Sequence, residues 1–310
     1  MFRSLGSWGV DIFFVISGFI MVFITANHSG GFNETMRFWV KRIIRIAPLY
    51  WTITTFVVLL SILAPGVTEY QATLSHVLAS YFFIPWQDSR GIPTPALGVG
   101  WTLNFEMFFY FAFGIILCLP RRMLITALLA WALASVTIGL IFEFSSPIGG
   151  MVTNQRLIEF ACGALIGWLW LRQKVIPKEV AMISVVVGFC LIGANVFEPQ
   201  LPVILKYGVP AALLVIGAVS LETHQVFSFS ARFPLSLGDY SYSLYLTHPI
   251  ILAATGKTID SLALYSKAPG SVLLFWEVAV AILAGAVVFT YIERPLHNML
   301  ATQRRSNSRA

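Results

Sequence analysis

Nine apolar runs of near-bilayer length recur along this chain of 310 residues, separated by short stretches that carry Gly, Pro and charged residues. About 20 apolar residues are needed for a helix to cross the hydrocarbon, and within hydrocarbon every backbone N–H and C=O must be satisfied by its own segment. Runs of this kind are therefore predicted to be helices, at 9–26, 47–64, 100–119, 123–142, 155–172, 180–197, 202–220, 239–256 and 272–291. The stretch 74–86 is too short to cross and reads as interfacial or re-entrant, with Tyr81, Phe82, Phe83 and Trp86 suited to the headgroup level. Hydrophobic residues make up 57% of the chain and charged ones 11%, and the mean hydropathy is +0.80, which leaves no polar stretch for a separate soluble domain. The expected architecture is an all-α, polytopic transmembrane helix bundle of about nine spans, forming one domain over 1–300 with a polar tail at 301–310.

Twenty Lys and Arg against 14 Asp and Glu give a net charge of +6, which in such a chain reports topology and not a nucleic-acid partner. Sorted by alternate sides, Arg37, Lys41, Arg42, Arg45, Arg121, Arg122, Arg172, Lys174, Lys178, Arg232, Arg294, Arg304, Arg305 and Arg309 share one side, and Arg3, Arg90, Arg156, Lys206, Lys257 and Lys267 the other. Basic residues near span ends are retained in the cytoplasm. The larger group thus marks the cytoplasmic face, with the N-terminus outside and the C-terminus inside. The first span lacks the basic n-region and cleavage pattern of a signal peptide. Cys118, Cys162 and Cys190 all lie in apolar runs and show no disulfide or zinc spacing. No metal and no permanently bound cofactor is expected.

Ionisable residues in or near the spans cost several kcal/mol to bury and are retained for function or for pairing. Asp11, near the outer end of the first span, reads either as a helix N-terminal carboxylate or as a functional acid. Glu106 lies about six residues inside the third span, with Tyr110 one turn later, so an internal hydrogen bond competes with a catalytic role. His248, near the middle of its span, fits a general base, a proton relay or a hydrogen-bonded packing residue. Pro249 frees a carbonyl in the preceding turn as a local partner for that imidazole. Arg156 and Glu159 are spaced for an i,i+3 ion pair that would direct polar groups into the bundle, bordering a substrate cavity. In RFWVKRIIRIAPLY (37–50), Arg42 and Arg45 fall on one helical face, with Arg37 and Lys41 on a neighbouring one. Two guanidinium forks on one face suit bidentate phosphate binding, although retention of topology needs charge alone.

Six blocks, in order and spread over about 290 residues, carry a resemblance: GVDIFFVISGFIM (9–21), FWVKRIIRIAPLY (38–50), GWTLNFEMFFY (100–110), RLIEFACGALIG (156–167), LGDYSYSLYLTHPI (237–250) and YIERPL (291–296). Together they resemble the acyltransferase-3 family of integral membrane acyltransferases, and within it the exopolysaccharide acetyltransferases. The resemblance implies about ten spans and transfer of an acyl group, expected to be acetyl, from cytoplasmic acyl-CoA to a sugar hydroxyl of an exopolysaccharide or lipid-linked saccharide on the far side. It places Arg42, Arg45 and Lys41 at the CoA phosphates and Glu106 and Asp11 at the chemistry. Trp101, Arg156 and Glu159 are expected at the acceptor. Membrane lipid, acyl-CoA, the saccharide and polysaccharide-assembly proteins are the implied partners. Family members also carry a preceding span with a histidine regarded as the catalytic base. The nine-span count and outward N-terminus fit a chain that starts after that span, which leaves His248 as the reserve base. Two other readings share the polar interior: a lipid-linked sugar transporter, and a catalytically inactive homologue of the enzymes.

Overall fold

The computed structural model describes residues 2–64, 72–194, 201–226, 232–263 and 268–307. The chain is all-α: among the described residues there is no strand. The helices are α1 (Phe2–Ile24), α2 (Phe32–Leu63), α3 (Leu74–Tyr81), α4 (Trp101–Ile116), α5 (Leu124–Ile141), α6 (Pro147–Val152), α7 (Arg156–Leu171), α8 (Lys178–Ala194), α9 (Val209–Thr223), α10 (Arg232–Asp239), α11 (Ser241–Ser261), α12 (Gly270–Val288) and α13 (Arg294–Asn307). Short 3-10 turns at Gly98–Gly100 and Arg121–Met123 lead into α4 and α5. π-Helical turns at Ile204–Gly208 and Phe289–Glu293 open α9 and join α12 to α13.

Each predicted span falls on a helix. Five helical stretches, Phe32–Leu63, Gly98–Ile116, Arg121–Ile141, Ile204–Thr223 and Gly270–Leu300, are long and apolar enough to cross a membrane, and the apolar part of α1 runs from Trp8 to Ile24. Residues 195–197 of the predicted span 180–197, residues 308–310 of the tail, Lys267 and Arg309 lie outside the described residues. The boundary that differs most is that of α2, which starts at Phe32 where 47 was predicted. The basic segment holds good helix formers and no glycine, so the helix runs through it and past Pro48, reaching about 48 Å at 1.5 Å per residue. As expected, 74–86 does not form a crossing helix: α3 has 8 residues, and the chain after it turns.

Two compact units divide the chain, Met1–Trp39 with Asn104–Ser228, and Val40–Leu103 with Phe229–Ala310. In the first, α1 lies along α7 at a distance that only glycines permit. A Cβ added at Gly18 would collide with the carbonyl oxygen of Phe160, and one at Gly163 with that of Val15. Small residues are what bring membrane helices into such close contact. Val15, Ile166, Ala211 and Val215 pack where α1, α7 and α9 meet, flanked by Ile12 and Phe19. Phe160 stacks on Phe109 of α4 at 4.3 Å and contacts Phe14 at 4.6 Å. The outward faces are apolar, with Leu140 and Phe189 exposed in this unit and Phe275 in the other. Apolar outside and charged inside is the pattern expected where lipid is the solvent.

In the second unit the turn after α3 is pinned by side chains. Tyr50 donates to the carbonyl of Ser80 at 3.1 Å, Ser80 accepts from the Ala96 N–H at 2.9 Å, and a ring nitrogen of His76 bonds the Thr94 carbonyl at 2.7 Å. Asp88 organises the tip, accepting from the backbone N–H groups of Arg90 and Ile92 and from the Arg90 guanidinium. Burial pushes the Asp88 carboxyl up, but the Ile92 N–H and the Arg90 contacts outweigh it and hold it below the ordinary 3.8.

Two outcomes follow from this packing. Gly163→Ala should lower the thermal stability of the detergent-solubilised protein by about 1–3 kcal/mol, because the blocking atom is backbone. Gly9→Ala, with nothing within 4 Å of its added carbon, should cause no loss, and equal melting shifts for the two would contradict the close α1–α7 contact. Because the folded pKa of Asp88 lies below the unfolded one, its contribution is present above the unfolded value and is lost as pH falls through the folded value. Limited proteolysis of the 82–97 segment should therefore accelerate on going from pH 7 to about pH 3, and Asp88→Asn should be fast at both.

Candidate active site

In the first unit the predicted acids converge. Asp11 stands nine residues into α1, too far from its start for the helix N-terminal role. The side chain is fully buried, and Arg156 of α7 meets it with Nε 3.3 Å from Oδ1. Arg156 thus makes a close ion pair across helices with Asp11 and also acts electrostatically on Glu159, one turn along α7. Glu159, 1% exposed, lies within interaction range of both Asp11 and Arg156. The cluster holds two carboxyls for one guanidinium. None of the four carboxyl oxygens accepts a hydrogen bond of ordinary geometry among the described residues. Buried acceptors left in that state favour a ligand rich in hydroxyl or N–H donors.

Glu106 is held in the same unit. The Tyr110 hydroxyl, one turn along α4, donates to its Oε1, the internal bond expected from the spacing, and Ser17 of α1 donates to the same oxygen at 3.4 Å. Ser17 was missed by sequence reading, and its only signal is a hydroxyl inside an otherwise apolar run. Asn104, 2% exposed, lies on a nearly opposite side of α4, and its Oδ1 has no hydrogen-bond partner among the described residues.

The second unit carries the arginine pair. Arg45 bonds Glu293 through Nη1, and the guanidinium lies 5.7 Å from the Tyr242 ring. Ser243 donates to the other oxygen of Glu293 at 2.5 Å, and the Tyr242 hydroxyl donates to the Ile46 carbonyl at 2.7 Å. Arg42 is half-buried one turn earlier on the same face, and Lys41 is exposed. Arg37 pairs with Glu34 at 3.7 Å on the first-unit stretch of the helix. Glu293 was also missed: as part of YIERPL it reads as an acid neutralised by its neighbour Arg294. It is 4% exposed, and its partner comes from α2.

His248 sits on α11 in this unit, with Nδ1 2.8 Å from the Tyr245 carbonyl. That oxygen would normally take the N–H of residue 249, which is proline, so the predicted local partner is the one used. A carbonyl oxygen only accepts, hence Nδ1 carries the hydrogen and the neutral ring presents Nε2 as its basic end. The Tyr245 hydroxyl is in turn fixed by Thr102 at 2.8 Å and the Val99 carbonyl at 3.1 Å. Trp101 follows the 3-10 turn as the first residue of α4 and is half-buried. His28 and His76 each bond a nearby carbonyl in structural roles.

The fold and its buried acids define an all-α protein whose apolar helices enclose charged side chains. Comparison with known proteins supplies the family. The acyltransferase-3 family, described as an acyltransferase domain, matches residues 1–292, and this chain belongs to it. The chain is 38% identical over 299 residues to the exopolysaccharide production protein ExoZ of Rhizobium meliloti, covering 94% of this chain and 90% of that protein. It is 25% identical to the acyltransferase MdmB of Streptomyces mycarofaciens, covering 97% and 83%. It is 23% identical to the peptidoglycan O-acetyltransferase OatA of Listeria monocytogenes, where 94% of this chain matches only 51% of that protein. No solved structure matches. The chain is a multi-pass membrane acyltransferase.

The buried triad gives a direct test. Arg156→Met strands two buried carboxyls and should cost about 3–5 kcal/mol of stability, read as a lowered melting temperature in detergent. Adding Asp11→Asn to that variant should recover part of the loss. Additive losses in the double variant would mean that the two side chains do not form a pair.

Proposed function

We propose that this enzyme is an O-acyltransferase that moves an acyl group, acetyl by analogy, from cytoplasmic acyl-CoA to a hydroxyl of an exopolysaccharide or lipid-linked sugar. The observation that carries this reading is the buried cluster of Asp11 and Glu159, two carboxyls that share the one Arg156 guanidinium and keep acceptor capacity for sugar hydroxyls. The exopolysaccharide role of ExoZ supports the acceptor class. In this reading one acyltransferase domain covers 1–300, in a bacterial inner membrane with the C-terminus and the polar tail in the cytoplasm. The basic flank of α2 then lies at the cytoplasmic face.

Arg42 and Arg45, aided by Lys41, bind the CoA phosphates, and Glu293 keeps the Arg45 fork in place for bidentate contact. The acceptor hydroxyl oxygen attacks the thioester carbonyl, a base takes its proton, and the C–S bond breaks to release CoA thiolate, which regains a proton. His248 offers a neutral Nε2 for that proton. Glu106 and Asp11 orient the acceptor, with Trp101, Arg156 and Glu159 completing its surroundings. Polysaccharide-assembly proteins would supply or remove the saccharide.

The test is acyl-CoA binding by purified protein. Arg42→Ala with Arg45→Ala should weaken donor affinity by roughly 100-fold or more, as expected for losing two charge-assisted phosphate contacts. Wild-type affinity in the folded double variant would sink the donor assignment, and sugar movement without thioester cleavage would show a transporter instead.

A further inference from the structure

At the end of the α5–α7 hairpin remote from Arg121, Arg122 and Arg172, the first unit has a surface cavity of about 290 Å³. Phe142 and Phe144 line it and remain 59% and 45% exposed, and Thr153, Asn154 and Gln155 supply its polar corner. Among the described residues no charged side chain lines it. The two amides have fixed orientations. Asn154 Oδ1 accepts the Arg156 N–H at 3.1 Å, and Gln155 Oε1 accepts the Ile204 N–H at 3.4 Å. Backbone N–H groups only donate, so each amide keeps its NH2 group uncommitted among the described residues. Thr153 donates to the Gly149 carbonyl at 2.8 Å and keeps its oxygen lone pairs.

From this lining we infer that the cavity is a subsite for one hexose ring of the saccharide acceptor, which gives the enzyme a second, non-reacting handle on its substrate. The inference rests on the proposed transfer to a sugar. A pyranose has an apolar C–H face for the two phenyl rings and a rim of hydroxyls for two amide donors and one hydroxyl acceptor. A phosphate or carboxylate would need a cation, and an acyl chain would leave both amides unused. The volume is at the small end for ligand sites, roughly 300–1,000 Å³, and fits one ring and not a chain. The position fits the acceptor as well. Gln155, the residue just before α7, lies one turn before Glu159. The segment that starts at Val203, another lining residue, ends at Gly208, where an added Cβ would meet Glu159 Cγ at 3.1 Å.

Gly150 lines the cavity, and a Cβ added there meets nothing within 4 Å, so Gly150→Leu plugs the site without displacing the backbone. Asn154→Asp and Gln155→Glu keep the oxygens that hold the Arg156 and Ile204 N–H groups and replace each NH2 donor with a second, negatively charged acceptor oxygen. Saturation-transfer NMR on the full chain in lipid nanodiscs, with methyl β-D-glucopyranoside and methyl β-D-galactopyranoside as probes, reads binding directly. The expected result is transfer to at least one probe with the wild type, abolished by Gly150→Leu and weakened roughly tenfold by each amide variant. Acyl-CoA thioester cleavage and melting temperature should not change. No transfer with the wild type, or transfer that persists in Gly150→Leu, as when lipid fills the cavity, overturns the subsite. Absence of thioester cleavage by the wild type would defeat the proposed reaction instead and leave the sugar-binding result to stand on its own.

Discussion

A charge kept inside a helical membrane protein needs its partner to arrive on another helix, and the Asp11–Arg156 contact shows what that requires. An arginine side chain on α7 reaches a carboxylate on α1 because Gly18 and Gly163 let the two backbones approach to contact. Larger residues at either glycine would separate the helices and leave both charges in a low-dielectric interior, where an uncompensated ion costs several kcal/mol. The aromatic stack of Phe14, Phe160 and Phe109 extends the packing from α1 and α7 to α4, which carries Glu106. Helix packing and the acid cluster are therefore one construction: the glycines set the distance, and the charges use it.

The second unit follows the same logic with different parts. Glu293 accepts from Arg45 on one oxygen and from Ser243 on the other, so a single buried carboxylate links α2 to α11 and fixes the direction of the guanidinium. Less than two turns along α11, Pro249 removes one backbone donor and His248 takes up the freed carbonyl, which settles the tautomer of the ring. In both cases a backbone or charge irregularity that would weaken an isolated helix is satisfied by a neighbouring side chain, and the side chain is thereby held in one orientation.

Much of this was legible in the sequence, and the boundary of legibility is physical. Apolar length gave the helices, because hydrocarbon permits little else. The Tyr110–Glu106 bond and the local partner of His248 were readable since both depend on spacing within one helix. The Asp11 contact of Arg156 was not: the i,i+3 rule pointed only to Glu159, and it takes the interhelical approach to bring Asp11 within 3.3 Å. Glu293 was hidden for the same reason, its nearest cation in sequence being Arg294 and its partner in space Arg45, 248 positions away. The start of α2 was misplaced because hydropathy marks where lipid begins, whereas the helix continues through charged residues that favour it equally. Asn154 and Gln155, ordinary loop amides by sequence, acquire meaning only once their oxygens are seen to be occupied.

Two buried acids adjoin π-helical turns: Glu293 ends one, and Gly208, which ends the other, lies against Glu159. A π turn holds an extra residue relative to an α turn. Five residues at roughly 82° each sweep about the same angle as four α-helical residues at about 100° each, so the extra residue widens the turn without turning the helix that follows. Deleting one residue from 289–293 would close the turn to regular geometry and leave α13 facing nearly as before, while drawing the carboxylate of Glu293 out of its place opposite Arg45. The surplus residue thus acts as a spacer: it sets how far the acid stands from the helix axis, a quantity that no exchange of side chain elsewhere in the turn reproduces.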